Sequence, residues 1–321
     1  MALPLKDIRS MLAESIKRTS FPVPMSDKAK DQWAHALGIP RGGDTVLYTG
    51  ALYQLMPYTK ALMARLESME EKKGVGFLLK VASSVTKMVD LSGIASKVVK
   101  KDADFYNGIL ATIAQLLSKA GVQYGYLYQD DVYSGALLYD LGLVEDFKVH
   151  ARTVYDRIKG AGVRRAITVD PHTLHMFKTV FPTCIEDYEL DALSYLEVLA
   201  VELPAPRQVL DTAAVIHDPC FYARFQQIIE QPRALLAKAG VACQEPRWSG
   251  ERTFCCGGPM ESIAPHLSNT VAEERLSQLK EKSNKIITLC PVCHIMMNRA
   301  APDGVEVTDI AALLKEAWLI D

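Results

Sequence analysis

The chain has 321 residues, 49% of them hydrophobic and 23% charged, with 36 basic against 38 acidic side chains for a formal net charge of -2. That length suits one large domain or two smaller ones, and so even a balance offers no field to recruit nucleic acid or an anionic membrane surface, which sets both aside. Seven cysteines, an odd number, suit metal or redox chemistry in a reducing compartment better than structural disulfides.

Residues 1–21 mix Lys6, Asp7, Arg9, Glu14, Lys17 and Arg18 with apolar positions. They lack the uncharged core of a secretory signal, so a cytoplasmic protein is expected. Leu5, Ile8, Met11, Leu12 and Ile16 recur at helical spacing, and residues 1–43 read as a helical lead-in whose apolar stripe docks on a partner or on the chain's own body. From near Leu66 to near Tyr106 the pattern predicts a helical insertion. Within it, Gly74 to Val99 is interrupted by Lys80, Lys87, Asp90 and Lys97, so no uncharged run reaches membrane-spanning length. Leu79, Val81, Val85, Met88, Val89 and Leu91 fit a packed helix there.

The two parts of the chain repeat one another. Thr45 to Ala51 answers Ala214 to Cys220, Tyr133-Ser134-Gly135 answers Cys255-Cys256-Gly257, and Ala166 to Thr173 answers Ile286 to Cys293. Downstream, Asp191 to Leu196 parallels Asp309 to Leu314. Ala51, Tyr133, Ser134, Asp170 and Thr173 thus stand where the second part has cysteine. The spacings differ at one gap, eighty-one residues between Ala51 and Tyr133 against thirty-four between Cys220 and Cys255, which locates the insertion. Residues 44–205 are read as the cysteine-free half, residues 206–321 as the cysteine-bearing half, and Val201 to Arg207, which contains prolines, as the linker.

Short apolar runs at Ala214 to Ile216 and Ile286 to Leu289 each lead to cysteine and then a plausible helix, the pattern of strand-to-helix turns in an α/β fold. If the strands are parallel, Cys220, Cys290 and Cys293 emerge at their carboxyl ends, where open α/β sheets bind ligands. Pro291 suits a first helical turn, and Gly257 and Gly258 let the backbone approach the sulfurs. Five thiols gathered by folding point to a soft-metal site. Zinc, a four-cysteine cubane with one spare thiol, and an open five-thiolate cluster all remain; the adjacent Cys255 and Cys256 favour the last, since neighbouring thiolates reach different irons more naturally than one.

The ordered set Cys220, Cys255-Cys256-Gly257-Gly258 and Cys290-Pro291-Val292-Cys293, preceded by His217-Asp218-Pro219 and followed by Arg224, resembles the cysteine-rich CCG domain. That family includes the catalytic B-type subunit of heterodisulfide reductase and the iron–sulfur subunits of glycolate, lactate and glycerol-3-phosphate oxidising systems. The resemblance implies two pseudo-symmetric Rossmann-like halves with parallel strands. In the heterodisulfide reductase branch it further implies one non-cubane [4Fe-4S] cluster held by Cys220, Cys255, Cys256, Cys290 and Cys293. Phe221 departs from a histidine common after the first cysteine, and the second gap is slightly short; neither removes a ligand. Trp33 to Pro40 resembles the lead-in of relatives that begin with a ferredoxin-like domain, and no CxxCxxC run precedes residue 44.

Where the catalytic heterodisulfide reductase protein carries a second cluster, this chain has none of the thiolates for it. The expected function is therefore electron transfer and disulfide, thiol or persulfide chemistry on a small, free or carrier-bound substrate. The expected setting is a multisubunit cytoplasmic complex. Its partners would be a ferredoxin-like iron–sulfur protein and a flavoprotein, similar to those that accompany the catalytic protein in heterodisulfide reductase. The alternatives are an iron–sulfur component of a glycolate-, lactate- or glycerol-3-phosphate-type dehydrogenase, and a non-catalytic assembly protein with a structural metal. His172, Tyr133 and His217 are the candidate catalytic side chains. His294 is placed either near the cluster or on an exposed helix face, and Cys184 and Cys243 are read as inert thiols.

Overall fold

The structure, a computed structural model, describes residues 5–70 and 97–320. The first half runs α1 (Leu5–Thr19), α2 (Asp27–Ala36), β1 (Thr45–Tyr48), α3 (Leu52–Glu70), α4 (Lys97–Lys119), β2 (Gly125–Tyr126), α5 (Ala136–Asp140), α6 (Val144–Gly160), β3 (Arg165–Thr168), α7 (Pro171–His175), β4 (Asp191–Ser194) and α8 (Tyr195–Glu202). The second runs β5 (Thr212–Ile216), α9 (Glu230–Lys238), β6 (Val241–Gln244), α10 (Pro265–Lys280), β7 (Lys285–Thr288), α11 (Pro291–Ala300), β8 (Glu306–Asp309) and α12 (Ile310–Trp318). Each half holds one four-stranded sheet, in the orders β2-β1-β3-β4 and β6-β5-β7-β8, with every pairing parallel. The fold is therefore α/β with two repeated halves. Helices cover both faces of such sheets, which is why β1, β3, β5 and β7 are short apolar runs with buried residues such as Val46, Ile167, Val215 and Ile287.

Register fixes which residues of the halves are equivalent. Tyr48 pairs with Thr168 and Ile216 with Ile287, so the residues expected to correspond around Ala51 and Cys220, and around Asp170 and Cys290, do so. The downstream alignment is corrected. Thr168 faces Ser194 while Thr288 faces Asp309, so Asp309 corresponds to Ser194, three residues beyond the expected Asp191. The reason is capping chemistry: Ser194 Oγ accepts from Leu196 N at 3.2 Å and Asp309 Oδ1 from Ala311 N at 2.9 Å, each opening the last helix of its half.

The same two residues join the halves. Tyr53, two residues past Ala51, donates its hydroxyl to Asp309 Oδ2 at 2.8 Å. Tyr222, two residues past Cys220, accepts from Ser194 Oγ at 3.1 Å. Burial pushes the Asp309 carboxyl up to about 7, against the lowering effect of the Ala311 N–H and Tyr53. The folded chain thus holds this proton more tightly than the unfolded one. The stabilisation is complete below about pH 4 and is lost as pH rises through 7, a share on the order of 4 kcal/mol. Asp309→Asn keeps the Ala311 N–H acceptor, reverses the Tyr53 bond so that the amide donates to the hydroxyl, and removes the titrating proton, so its stability in denaturant titrations of the metal-free chain is expected to vary less between those pH values than that of the unsubstituted protein.

Helix α1 turns Ile8, Leu12 and Ile16 inward, all buried, and lies against α6; these three residues of the apolar stripe are covered by the chain's own body. Trp33 of α2 packs edge-on to Tyr126, ring centroids 5.1 Å apart. The expected insertion edges at Leu66 and Tyr106 fall inside α3 and α4, which pack on one another. Apart from its last three residues, the helix expected over Gly74 to Val99 lies outside the described residues. Among the described residues no helix is long and apolar enough to cross a membrane.

Candidate metal centre

All five cysteines of the array converge at the carboxyl ends of β5 and β7, on the seam between the halves. Beyond β5 the chain turns through His217, whose N–H donates to Ile287 O at 2.8 Å. Asp218 is buried and accepts from both terminal nitrogens of Arg233, at 2.9 and 2.8 Å, and from Gly250 N at 2.7 Å. Thr253 Oγ1 donates to Asp218 O at 2.8 Å, and Arg224 donates to Thr253 O at 2.7 Å and to Glu251 O at 3.1 Å. Asp218 and Arg224 of the motif thus tie the loop bearing Cys255 and Cys256 to the turn bearing Cys220. A helix was expected after Cys220; the chain instead makes a single π-helical turn, Phe221–Phe225. Cys290 opens α11 with Pro291 in its first turn, as expected for a residue without an N–H to leave unpaired.

The sulfurs form a chain of contacts, Cys220 to Cys255, Cys255 to Cys256, Cys256 to Cys293 and Cys293 to Cys290. Cys256, Cys290 and Cys293 are buried, whereas Cys220 and Cys255 are partly exposed. Hydrogen bonds from Cys220 and Cys256 push the Cys255 thiol down, with help from Gly257 N, 3.3 Å from its sulfur. Burial opposes ionisation at Cys290, but contacts from Cys293 and His172 outweigh it and hold that thiol well below its ordinary value. Thiolate is the form that ligates metal. Gly258 stands so close to the buried thiol that a Cβ there would lie 3.4 Å from Cys256 Sγ and 2.3 Å from Val292. The donor set is all sulfur, convergent and closely wrapped by backbone, which fits an iron–sulfur cluster and its preference for soft ligands.

One ring nitrogen of His217 and the sulfurs of Cys256 and Cys293 lie within 4.8 Å of one another, a spacing that would suit a His–Cys–Cys metal triad. The hydrogen bond that the ring already makes argues against it. A ligating histidine gives its other N–H to an acceptor, whereas Nδ1 of His217 receives a hydrogen bond from Arg275 Nε at 3.0 Å. His217 is therefore outside the donor set. His172, at the start of α7 in the first half, crosses the seam to hydrogen-bond Cys290 and packs on Phe221, centroids 4.5 Å apart. Burial disfavours its charge, yet Cys290 and Asp170 raise it to about 9. His294 is not on an exposed helix face. It is buried, and its ring is held by the Tyr106 hydroxyl at 3.0 Å and stacked on Phe105. Cys184 and Cys243 lie outside the array, Cys184 against the Val180 and Phe181 carbonyls and Cys243 on β6.

The equivalent place in the first half is filled by protein. Ala51, Tyr133, Ser134, Asp170 and Thr173 are all buried. Tyr133 Oη accepts from Leu137 N at 2.9 Å, and Asp170 Oδ1 caps α7 by accepting from Thr173 N at 2.9 Å. A Cβ on Gly50 would come within 2.8 Å of Thr173 Oγ1. Asp131, two residues before Tyr133 and so at the place of Thr253, was missed in the sequence; it accepts from Thr49 N, Thr49 Oγ1 and Gly50 N and closes the turn. Its signal would have been the acidic pair Asp130-Asp131 at the end of a tyrosine-rich stretch, just before the Tyr133-Ser134-Gly135 turn. Gly135 and Gly257 retain the same left-handed conformation, φ 86° and 85°, so the turn survives without its metal ligands.

Residues 214–298, which include all five cysteines, match the CCG cysteine-rich domain family. The chain is 27% identical over 224 residues to the "Probable iron-sulfur-binding oxidoreductase FadF" of Bacillus subtilis, an alignment covering 66% of this chain and 32% of that protein. It is 27% identical over 234 residues to the "EtfAB:quinone oxidoreductase" of Syntrophomonas wolfei, covering 67% and 32%. To the "Probable membrane-anchored ferredoxin" of Chromohalobacter salexigens it is 26% identical over 226 residues, covering 65% and 33%. The chain thus spans about a third of the length of these relatives.

Proposed function

We infer, taking a CCG cysteine-rich domain at residues 214–298 as the premise, that this chain is an iron–sulfur electron-transfer subunit of an oxidoreductase. Its one cluster would be held by Cys220, Cys255, Cys256, Cys290 and Cys293. The observation that carries the reading is the contact chain of five sulfurs with Cys220 and Cys255 at its partly exposed end. A bound cluster supplies one-electron redox chemistry; a non-cubane [4Fe-4S] form would use all five thiolates. The protein's own residues do the rest. Cys256, Cys290 and Cys293 exclude water on one side, and the Gly257 N–H is aimed at the Cys255 sulfur. His172 presents an N–H to Cys290 from the other half. The partners are then a flavoprotein that exchanges electrons with the cluster and a quinone-linked or ferredoxin-like protein, in keeping with the names of the relatives. The complex is assigned to the cytoplasm or its membrane face.

A second reading follows from the same exposed edge. Partly exposed Cys220 and Cys255, with His172 beside Phe221, leave room for a small disulfide, thiol or persulfide to meet the cluster, with His172 rather than the helix-capping Tyr133 facing it. The filled first half argues against a mechanism that divides a disulfide between two clusters in this chain. Anaerobic purification with iron and sulfide analysis tests the shared premise: iron, acid-labile sulfide and an EPR signal on reduction are expected, and a chain that binds zinc alone would sink both readings. Stopped-flow oxidation of the reduced cluster separates them. Rapid exchange with an electron-transferring flavoprotein and indifference to small disulfides and persulfides is expected for the first; the reverse supports the second.

A further inference from the structure

Arg275 of α10 is completely buried, its side chain reaching inward to the cysteine array. Its hydrogen bonds go to His217 Nδ1 at 3.0 Å, to the Trp248 carbonyl at 2.9 Å and to the side-chain oxygen of Gln278 at 3.2 Å, all neutral acceptors. Nη2 has no partner, and among the described residues no carboxylate pairs with this guanidinium. Isolated charge in a protein interior is costly and is kept where something opposes it. The acidic groups whose field reaches Arg275 are Asp218 first, a carboxylate already held by Arg233 and Gly250 N, and then the sulfurs of Cys293 and Cys256.

His217 is the intermediary. Its ring is buried, Nδ1 is taken by the arginine's N–H, and Nε2 has no partner among the described residues. A nitrogen that accepts a hydrogen bond carries no proton, so the neutral ring must carry its proton on Nε2. An orphaned, buried N–H on a ring that comes within 4.8 Å of two cysteine sulfurs calls for an acceptor that arrives with the occupant of the site. Resting on the cluster reading above, we propose that Arg275 is the buried counter-charge of the cluster and locks His217 as the Nε2–H tautomer. His217 then serves as a hydrogen-bond donor to the cluster sulfurs at Cys256 and Cys293 and cannot be a ligand. Both are positioning residues. Reduction adds negative charge to the cluster, and a fixed cation and a fixed N–H stabilise that state more than the oxidised one, so the pair raises the reduction potential.

Two measurements on the full chain decide the matter. In the unsubstituted apoprotein, imidazole 15N shifts of His217 are expected to show a protonated Nε2 and a bare, hydrogen-bonded Nδ1; an Nδ1–H tautomer or an imidazolium overturns the proposal. In the reconstituted protein, Arg275→Met and His217→Phe are expected to retain iron while the oxidised-to-reduced ratio at a fixed applied potential shifts toward oxidised by about tenfold, or 59 mV for a one-electron couple. Arg275→Lys, which restores the charge, should recover part of that shift; a merely structural arginine would lower the unfolding midpoint and leave the potential where it was. Iron bound with an unmoved potential overturns this inference alone, whereas failure of the unsubstituted protein to bind iron and sulfide overturns the cluster reading beneath it. Should the arginine variants fail to fold, the tautomer of the unsubstituted chain still decides for or against the proposal.

Discussion

Cys256→Ala and Cys290→Ala are each expected to lower cluster content by more than about tenfold, since loss of a ligand should cost at least as much as loss of an outer-shell partner. Cys184→Ala and Cys243→Ala should bind iron as the unsubstituted chain does. The argument is geometric. Cys256 sits in the middle of the sulfur contact chain, between Cys255 and Cys293, and Cys290 closes its buried end, where no water could replace a lost thiolate. Cys255→Ser discriminates among forms of cluster. With five thiolates its spectrum must change, and a full, unaltered spectrum would return the site to four ligands. Iron and sulfide per chain with visible absorption and EPR provide the readout; a Cys290→Ala protein with undiminished iron would remove the array from consideration as the binding site.

Gly257→Ala should be strongly destabilising. At φ 85° an L-residue is strained by roughly 1–2 kcal/mol, and the added Cβ would lie 2.4 Å from the backbone carbonyl of Ser268, an atom fixed in α10 and unable to swing aside. Together these predict a loss of about 3 kcal/mol or more. Gly304→Ala is the internal comparison, because φ there is 83° but no atom lies within 4 Å of the added carbon. It should lose only the conformational part. Urea unfolding midpoints of the two variants check this, and equal losses would show that the approach to Ser268 contributes nothing. The same Gly257 change displaces the N–H from Cys255, so weakened iron binding should accompany the lower midpoint.

The cysteine frame was legible because strand ends, turn glycines and the proline of a first helical turn are local chemistry that a linear pattern records. The parallel α/β halves followed from the same signals. Where purely local matching was ambiguous the reading slipped: an aspartate at position 191 looked like the partner of Asp309, although the structurally equivalent helix cap is a serine at 194. The residues around the sulfurs were less legible. His172 reaches Cys290 across the seam, and the angle at which two halves meet is set by the packing of many side chains, with no motif to announce it. Arg275 comes from a helix that carries none of the cysteines, and an arginine amid the polar residues of α10 reads as a solvated side chain until burial is known. The setting of His294 was equally hidden, since its adjacency to Cys293 says nothing of the α4 aromatics that hold it.

The reciprocal bonds from Tyr53 to Asp309 and from Ser194 to Tyr222 bear on why a metal-free half persists at all. Each tyrosine follows the first turn of its own half by two residues and is anchored beside the last strand of the other. The turn that presents Cys220 is thereby held from outside its own sheet. The half without cysteines serves as a mould for the half that has them, and could shed its ligands one by one while its scaffolding role kept the duplicated architecture intact.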